Sequence, residues 1–197
     1  YSGTKSFFGV LAAIGVEEGW LDLDEPVSKT LPEWRDDPRK RKITIRQLLN
    51  FTSGLETGFS QIYGRSSVDK VSASTTLEVT REPGTSFVYG PSHLQVFCAI
   101  LRKKLKFRGQ SYESYLNKKL IKPLDINVTK WRADDHGNVI PSAGMYMTGR
   151  DGMKFGQMVV QGGQWNGRQL VETNSLRLCF TGTRINPAYG INFWLNG

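Results

Sequence analysis

From Phe7 to Val16 the chain is apolar on every side of a helix: Phe7, Phe8, Val10, Leu11, Ala12, Ala13, Ile14 and Val16, with only Gly9 and Gly15 between them. Such a helix has no face to offer to water, so it must run through the centre of the fold. The run is about half the ~20 residues a membrane span requires, which marks it as a core helix. Directly before it stands Ser2-Gly3-Thr4-Lys5. If one helix covers Ser2 to Val16, the residues at i and i+3 share a face, and the Ser2 hydroxyl meets the Lys5 amine. A serine hydroxyl is a weak nucleophile until a base takes its proton. A lysine can be that base when burial lowers its pKa, and the apolar run supplies the burial. A serine at a helix start also faces backbone N–H groups and the positive end of the helix dipole. Ser2 is therefore the candidate nucleophile and Lys5 its candidate activator.

Spacing alone does not settle the matter. Ser67-Val68-Asp69-Lys70 repeats the pattern in a polar segment, where nothing is expected to desolvate the lysine. Other signals organise the rest. Thr44-Ile45-Arg46-Gln47 reads as a capping box opening a short helix, and Ser92 with Gln95 stands in the same register at the head of a helix running to about Leu105. Further helices are expected over about 111–121 and 148–161, the latter closed by Gly162-Gly163. Asn166-Gly167 signals a tight turn, and the alternation from Tyr189 to Leu195 predicts a strand. Residues 56–82 read as loops with a weak helix, and no internal repeat or linker stands out.

With 39% hydrophobic and 22% charged residues, the composition is that of a globular protein and excludes the disordered class. The net charge of +8 is concentrated in Arg35–Lys42 and Arg102–Arg108. The first cluster contains Asp36 and Asp37, and the second closes a helix, where cations complement the dipole. Both read as solvated surface in preference to a nucleic-acid interface. Cys98 and Cys179 are too few for a disulfide framework, and Cys98, in an apolar helix, reads as a buried inert thiol. His93 and His136 have no partner at metal-ligand spacing, so neither a metal nor an organic cofactor is implied.

The order of blocks carries more than any one motif. Ser2-x-x-Lys5-Ser6-Phe7 is followed by Glu18 to Val27, Ile43 to Leu49, Thr52-Ser53-Gly54-Leu55, Pro83-Gly84-Thr85, Phe87-Val88-Tyr89 and Pro123-Leu124. Ala143-Gly144, Arg150-Asp151, Phe155-Gly156 and Gly162-Gly163 complete the series. Over nearly its whole length the chain resembles the serine β-lactamase-related family, which includes class C β-lactamases, D-alanyl-D-alanine peptidases and family esterases. The resemblance implies an α+β, β-lactamase/transpeptidase-like fold, mainly its helical region with part of the α/β region. It implies that Ser2 forms an acyl-enzyme, that Lys5 helps deprotonate it, and that Tyr89, at the head of the family's Tyr-x-Asn motif, shares in proton transfer. The alternative for Tyr89 is a core aromatic with a satisfied hydroxyl; Tyr63 is the next tyrosine to consider. A periplasmic or secreted location also follows from the resemblance alone.

Two departures bear on substrate. Pro91 stands where the motif has Asn, a side chain that in the lactamases holds the substrate amide, and Phe51 replaces the frequent His before Thr-Ser-Gly-Leu. Ser92 and His93 are the candidates to take over the substrate contact, the alternative for His93 being a surface helix position. The expected activity is hydrolysis of a small ester or amide. β-Lactamase or D-alanyl-D-alanine carboxypeptidase activity is the alternative, and a catalytically silent binder of peptides or β-lactams the alternative from another class. The family's third motif, a Lys- or His-x-Gly strand, and its strands before the nucleophile lie outside residues 1–197. The chain therefore reads as one incomplete domain, inactive alone, with Phe7, Phe8 and Leu11 left exposed.

Overall fold

The computed structural model describes residues 1–65 and 67–196. Its central element is α1, Thr4–Glu17, with Lys5 and every residue from Phe7 to Gly15 buried. Phe7 and Phe8 are 3% and 0% exposed, and Leu11 is fully covered. The expected exposure of these three is thus overturned. Phe7 stacks on Phe155, with ring centroids 3.9 Å apart, and Phe8 lies between Tyr112 and Trp131. Ser2 stands in a turn just ahead of α1, one residue outside the N-cap Gly3, so the helix begins later than its sequence pattern suggests.

Around α1 the chain is mostly helical: α2 (Ile45–Leu49), α3 (Phe59–Tyr63), α4 (Lys70–Thr76), α5 (Ser92–Lys106) and α6 (Tyr112–Leu116). A π turn, Asn117–Ile121, continues α6, and α7 (Gly149–Val160) and α8 (Thr173–Arg177) follow. The Thr44 capping box is present in both directions, Thr44 Oγ1 to the Gln47 N–H and Gln47 Oε1 to the Thr44 N–H. It fixes the start of α2, whose Ile45, Leu48 and Leu49 enter the core. α5 packs on α2, α3, α4 and α6, while α6 and α8 cover α1. The second expected capping box does not form. Ser92 is already helical, Pro91 is the cap, and the Ser92 hydroxyl donates instead to the Glu56 carbonyl at 2.7 Å.

Two short antiparallel ladders supply the β component. β1 (Lys130–Trp131) pairs with β2 (Met145–Tyr146), and β3 (Gln164–Trp165) with β4 (Arg168–Gln169). The second closes through Asn166 and Gly167, both at positive φ, as an Asn-Gly hairpin requires. The expected strand at Tyr189–Leu195 is absent. Asn192 has φ 59°, and only a Tyr189–Trp194 bridge forms. The backbone groups here are taken from other directions: Ile191 N–H by Cys179, Asn192 N–H by Leu49, and the Asn192 carbonyl by the Ser6 hydroxyl. α1 passes so close to this segment that a side chain at Gly9 would run into the Ile191 carbonyl. Both cysteines are buried and unpaired, and burial pushes the Cys179 thiol up to about 12.

Candidate active site

α1 carries its first polar turn to the mouth of a cleft of about 270 Å3 lined by Ser2, Lys5, Tyr63, Tyr89 and Arg132, among others. Lys5 Nζ donates to Ser2 Oγ at 3.0 Å and to the Ser142 carbonyl at 2.7 Å. The lysine is 2% exposed. Burial lowers its pKa from 10.5, opposed by the neighbouring Tyr89. A lysine so placed can lose a proton and then accept one from the hydroxyl beside it.

Tyr89 borders the same cleft, with Lys5 Nζ 4.9 Å from its ring centroid. Its backbone is set by the Val88 N–H, which donates to the Phe51 carbonyl at 2.8 Å. Its ring is held by Phe51, Tyr189 and Trp194, at centroid separations of 4.9, 5.9 and 5.7 Å. Phe51 sits fully buried at φ 59°, a conformation that costs a bulky residue roughly 1–3 kcal/mol and persists only where packing dictates it. Here the packing is the aromatic cluster of Phe87, Tyr89 and Tyr189 around it. No direct hydrogen bond joins the Tyr89 hydroxyl to Ser2 or Lys5 among the described residues, so the three side chains are neighbours with one direct link, Lys5 to Ser2.

Against this geometry, the sequence model of the Beta-lactamase family matches residues 1–193. The chain belongs to the beta-lactamase family. It is similar to Protein flp of Staphylococcus aureus strain MRSA252, with 28% identity over 158 residues, covering 75% of this chain and 30% of that protein. It is similar also to Acyltransferase calJ of Penicillium decumbens, 33% identical over 116 residues, 46% of this chain and 28% of the other. In structure it resembles a D-stereospecific amidohydrolase from Streptomyces sp., with TM-score 0.74 at 23% identity, covering 97% of this chain and 68% of that one. The chain thus spans under a third of the length of these curated relatives.

The beta-lactamase-family cleft differs from the sequence expectation in two ways. Ser92 and His93 do not reach it. Both are 0% exposed, with Ser92 Oγ and His93 Nδ1 3.0 Å apart inside the helix packing. α5 is buried on all sides at its head, so polar letters there face the core. Burial lowers the His93 pKa to about 3, and its Nε2 has no partner among the described residues. Conversely, residues without a strong sequence signal take part. Tyr63, at the end of α3, donates to Ser142 Oγ at 2.9 Å, and so braces the loop whose carbonyl holds Lys5. Burial raises the Tyr63 pKa, partly offset by the Ser142 hydrogen bond. Ser142-Ala143-Gly144 is a run of small residues that lets this loop approach α1; in the sequence only Ala143-Gly144 was a marker, and of family membership alone. Among the described residues no helix is long and apolar enough to cross a membrane.

Proposed function

We propose that the chain is the nucleophile-bearing part of a serine hydrolase that forms an acyl-enzyme on Ser2. The observation that carries this reading is Lys5 Nζ, buried, with a lowered pKa, 3.0 Å from Ser2 Oγ. In this reading neutral Lys5 takes the Ser2 proton as the hydroxyl attacks a carbonyl, and the leaving group departs with a proton returned from the Lys5–Tyr89 pair. Water then repeats the sequence on the acyl group. Tyr89 supports proton return because it lies against the same ammonium.

The substrate is a small ester or amide. Pro91 lines the cleft where a side-chain amide would be needed to hold a substrate amide, and a proline has no side-chain polar atom. The relatives named acyltransferase and amidohydrolase point to acyl transfer as the common chemistry. Comparing p-nitrophenyl butyrate with nitrocefin on the full-length protein tests the choice. Faster turnover of the ester is expected; faster turnover of nitrocefin would replace this reading with a β-lactamase.

A further inference from the structure

The charges that border the cleft are few and of one sign. Among the described side chains lining it, Lys5 and Arg132 alone are cationic and none is a carboxylate. A wider groove of about 730 Å3 adjoins it through Arg132 and Ala143. That groove is lined by apolar side chains such as Phe7, Met145 and Phe155, with Arg132 its one charged side chain among the described residues. The lysine is committed to Ser2 and Ser142. The arginine is not. No carboxylate among the described residues pairs with it. Asp134, two residues on, is occupied by the backbone N–H groups of Lys70, His136 and Asn138.

The position of Arg132 is nevertheless fixed. Its N–H donates to the Gly144 carbonyl at 2.8 Å, and its carbonyl accepts from Ile140 at 2.9 Å, so the backbone is clamped beside the β1–β2 ladder. Its guanidinium lies 6.0 Å from the centroid of Tyr63, the tyrosine that braces the Ser142 loop. Cation–π contact of this kind orients a guanidinium while leaving its fork of donors available. A half-buried guanidinium that pairs with no carboxylate among the described residues, on a wall whose other cation is the committed Lys5, can take an anion, and carboxylates meet that fork in bidentate geometry.

We infer that Arg132 is a specificity residue that recognises a carboxylate on the substrate, remote from the carbonyl that Ser2 attacks. The substrate class is an amphipathic acyl ester or amide: an apolar chain for the groove and a terminal carboxylate for Arg132. This inference rests on the proposal that Ser2 is the nucleophile, and the test separates the two.

The full-length protein is assayed with a matched pair, the p-nitrophenyl monoester of adipic acid and p-nitrophenyl hexanoate, which differ by a carboxylate in place of a methyl group. The same preparations are labelled with a fluorophosphonate probe. Native protein should prefer the anionic ester by about 10- to 100-fold in kcat/KM, the scale of a charge-assisted pair. Arg132→Ala should bring the ratio to near one, mainly through KM, and Arg132→Lys should restore part of it. High salt should erode the native preference and leave the Arg132→Ala ratio in place. A native preference for hexanoate, or a ratio that Arg132→Ala does not change while Ser2 still labels, overturns the role of Arg132. Failure of Ser2 to label overturns the hydrolase reading and this inference with it.

Discussion

The chain contains two Ser-x-x-Lys quartets, and the fold puts them to opposite uses. Lys5 and Lys70 are equally buried, each 2% exposed, so burial does not distinguish them. Their acceptors do. Lys5 donates to one carbonyl and to Ser2 Oγ, beside an aromatic ring. Lys70 donates to three backbone carbonyls, of Gln61, Gly64 and Arg65, at 3.3, 3.4 and 2.6 Å. Ser67 is exposed and takes no part. An ammonium has three protons to give. At Lys70 all three have carbonyl acceptors, which makes it a tie between α4 and the end of α3. At Lys5 one place is filled by a hydroxyl that can itself give up a proton. The spacing is shared; the supply of acceptors separates a structural cation from a candidate base.

The strongest way to break this contrast is at the serines. Ser2→Ala should abolish fluorophosphonate labelling and lower ester hydrolysis by at least about 1,000-fold, as loss of a nucleophile does. Ser67→Ala should leave both at native level, because its side chain is exposed. Mass spectrometry of the labelled peptide decides the matter, and label on the Ser67 peptide would refute the assignment.

The lysines should then exchange symptoms. Lys5→Met should cut kcat by about 100- to 10,000-fold, the range for loss of general-base assistance. In native protein the rate should rise with pH as Lys5 deprotonates, at a pH below the ordinary 10.5. Lys70→Met strands the Gln61, Gly64 and Arg65 carbonyls and should cost about 1–3 kcal/mol of stability. In a chain of this size that lowers the melting temperature by about 2–4 °C per kcal/mol. Urea unfolding and ester kinetics on both variants measure the exchange. A catalytic loss at Lys70 larger than at Lys5 would overturn the division of roles.

What could be read from the sequence follows the range of the interactions. The α1 run, the Thr44–Gln47 box and the Asn166-Gly167 turn depend on residues within a few positions of one another, and each was legible. The Ser2–Lys5 juxtaposition was legible for the same reason. Tyr63 and Ser142 are placed by contacts spanning 79 and 137 residues, and Arg132 by its guanidinium over the Tyr63 ring, which no local pattern encodes. The burial of Lys70 was misread because its segment is polar; the polarity is that of carbonyls and Asp134 turned inward around it. The alternation at Tyr189–Leu195 was real as an aromatic cluster but not as a strand, since Phe51, Phe87 and Tyr89 claim its side chains and Asn192 turns its backbone.

His93 extends the comparison to a buried base with still fewer acceptors and should show the smallest effect. Its Nδ1 faces Ser92 Oγ, its Nε2 has no partner among the described residues, and its ring packs on Phe51. Burial therefore holds its pKa near 3, against 6.5 in an open chain. The sign follows from proton counting. Above 6.5 the folded and unfolded chains both carry a neutral His93, and the residue adds no pH dependence. Below 6.5 the unfolded chain binds a proton that the folded chain refuses until about pH 3. Stability must then fall as pH falls across that window, by about 1.4 kcal/mol per pH unit from this group. Carboxylates also titrate in the lower part of the window, so the native slope alone is not diagnostic. The difference between native and His93→Phe is. Phenylalanine keeps a ring against Phe51 and has no proton to bind. Denaturant unfolding at pH 7, 6 and 5 should give a native curve steeper by up to one proton than that of the variant. Parallel curves would mean that His93 charges in place with an acceptor for its Nε2, and the ordering of the three buried bases by their acceptors would fail at its last member.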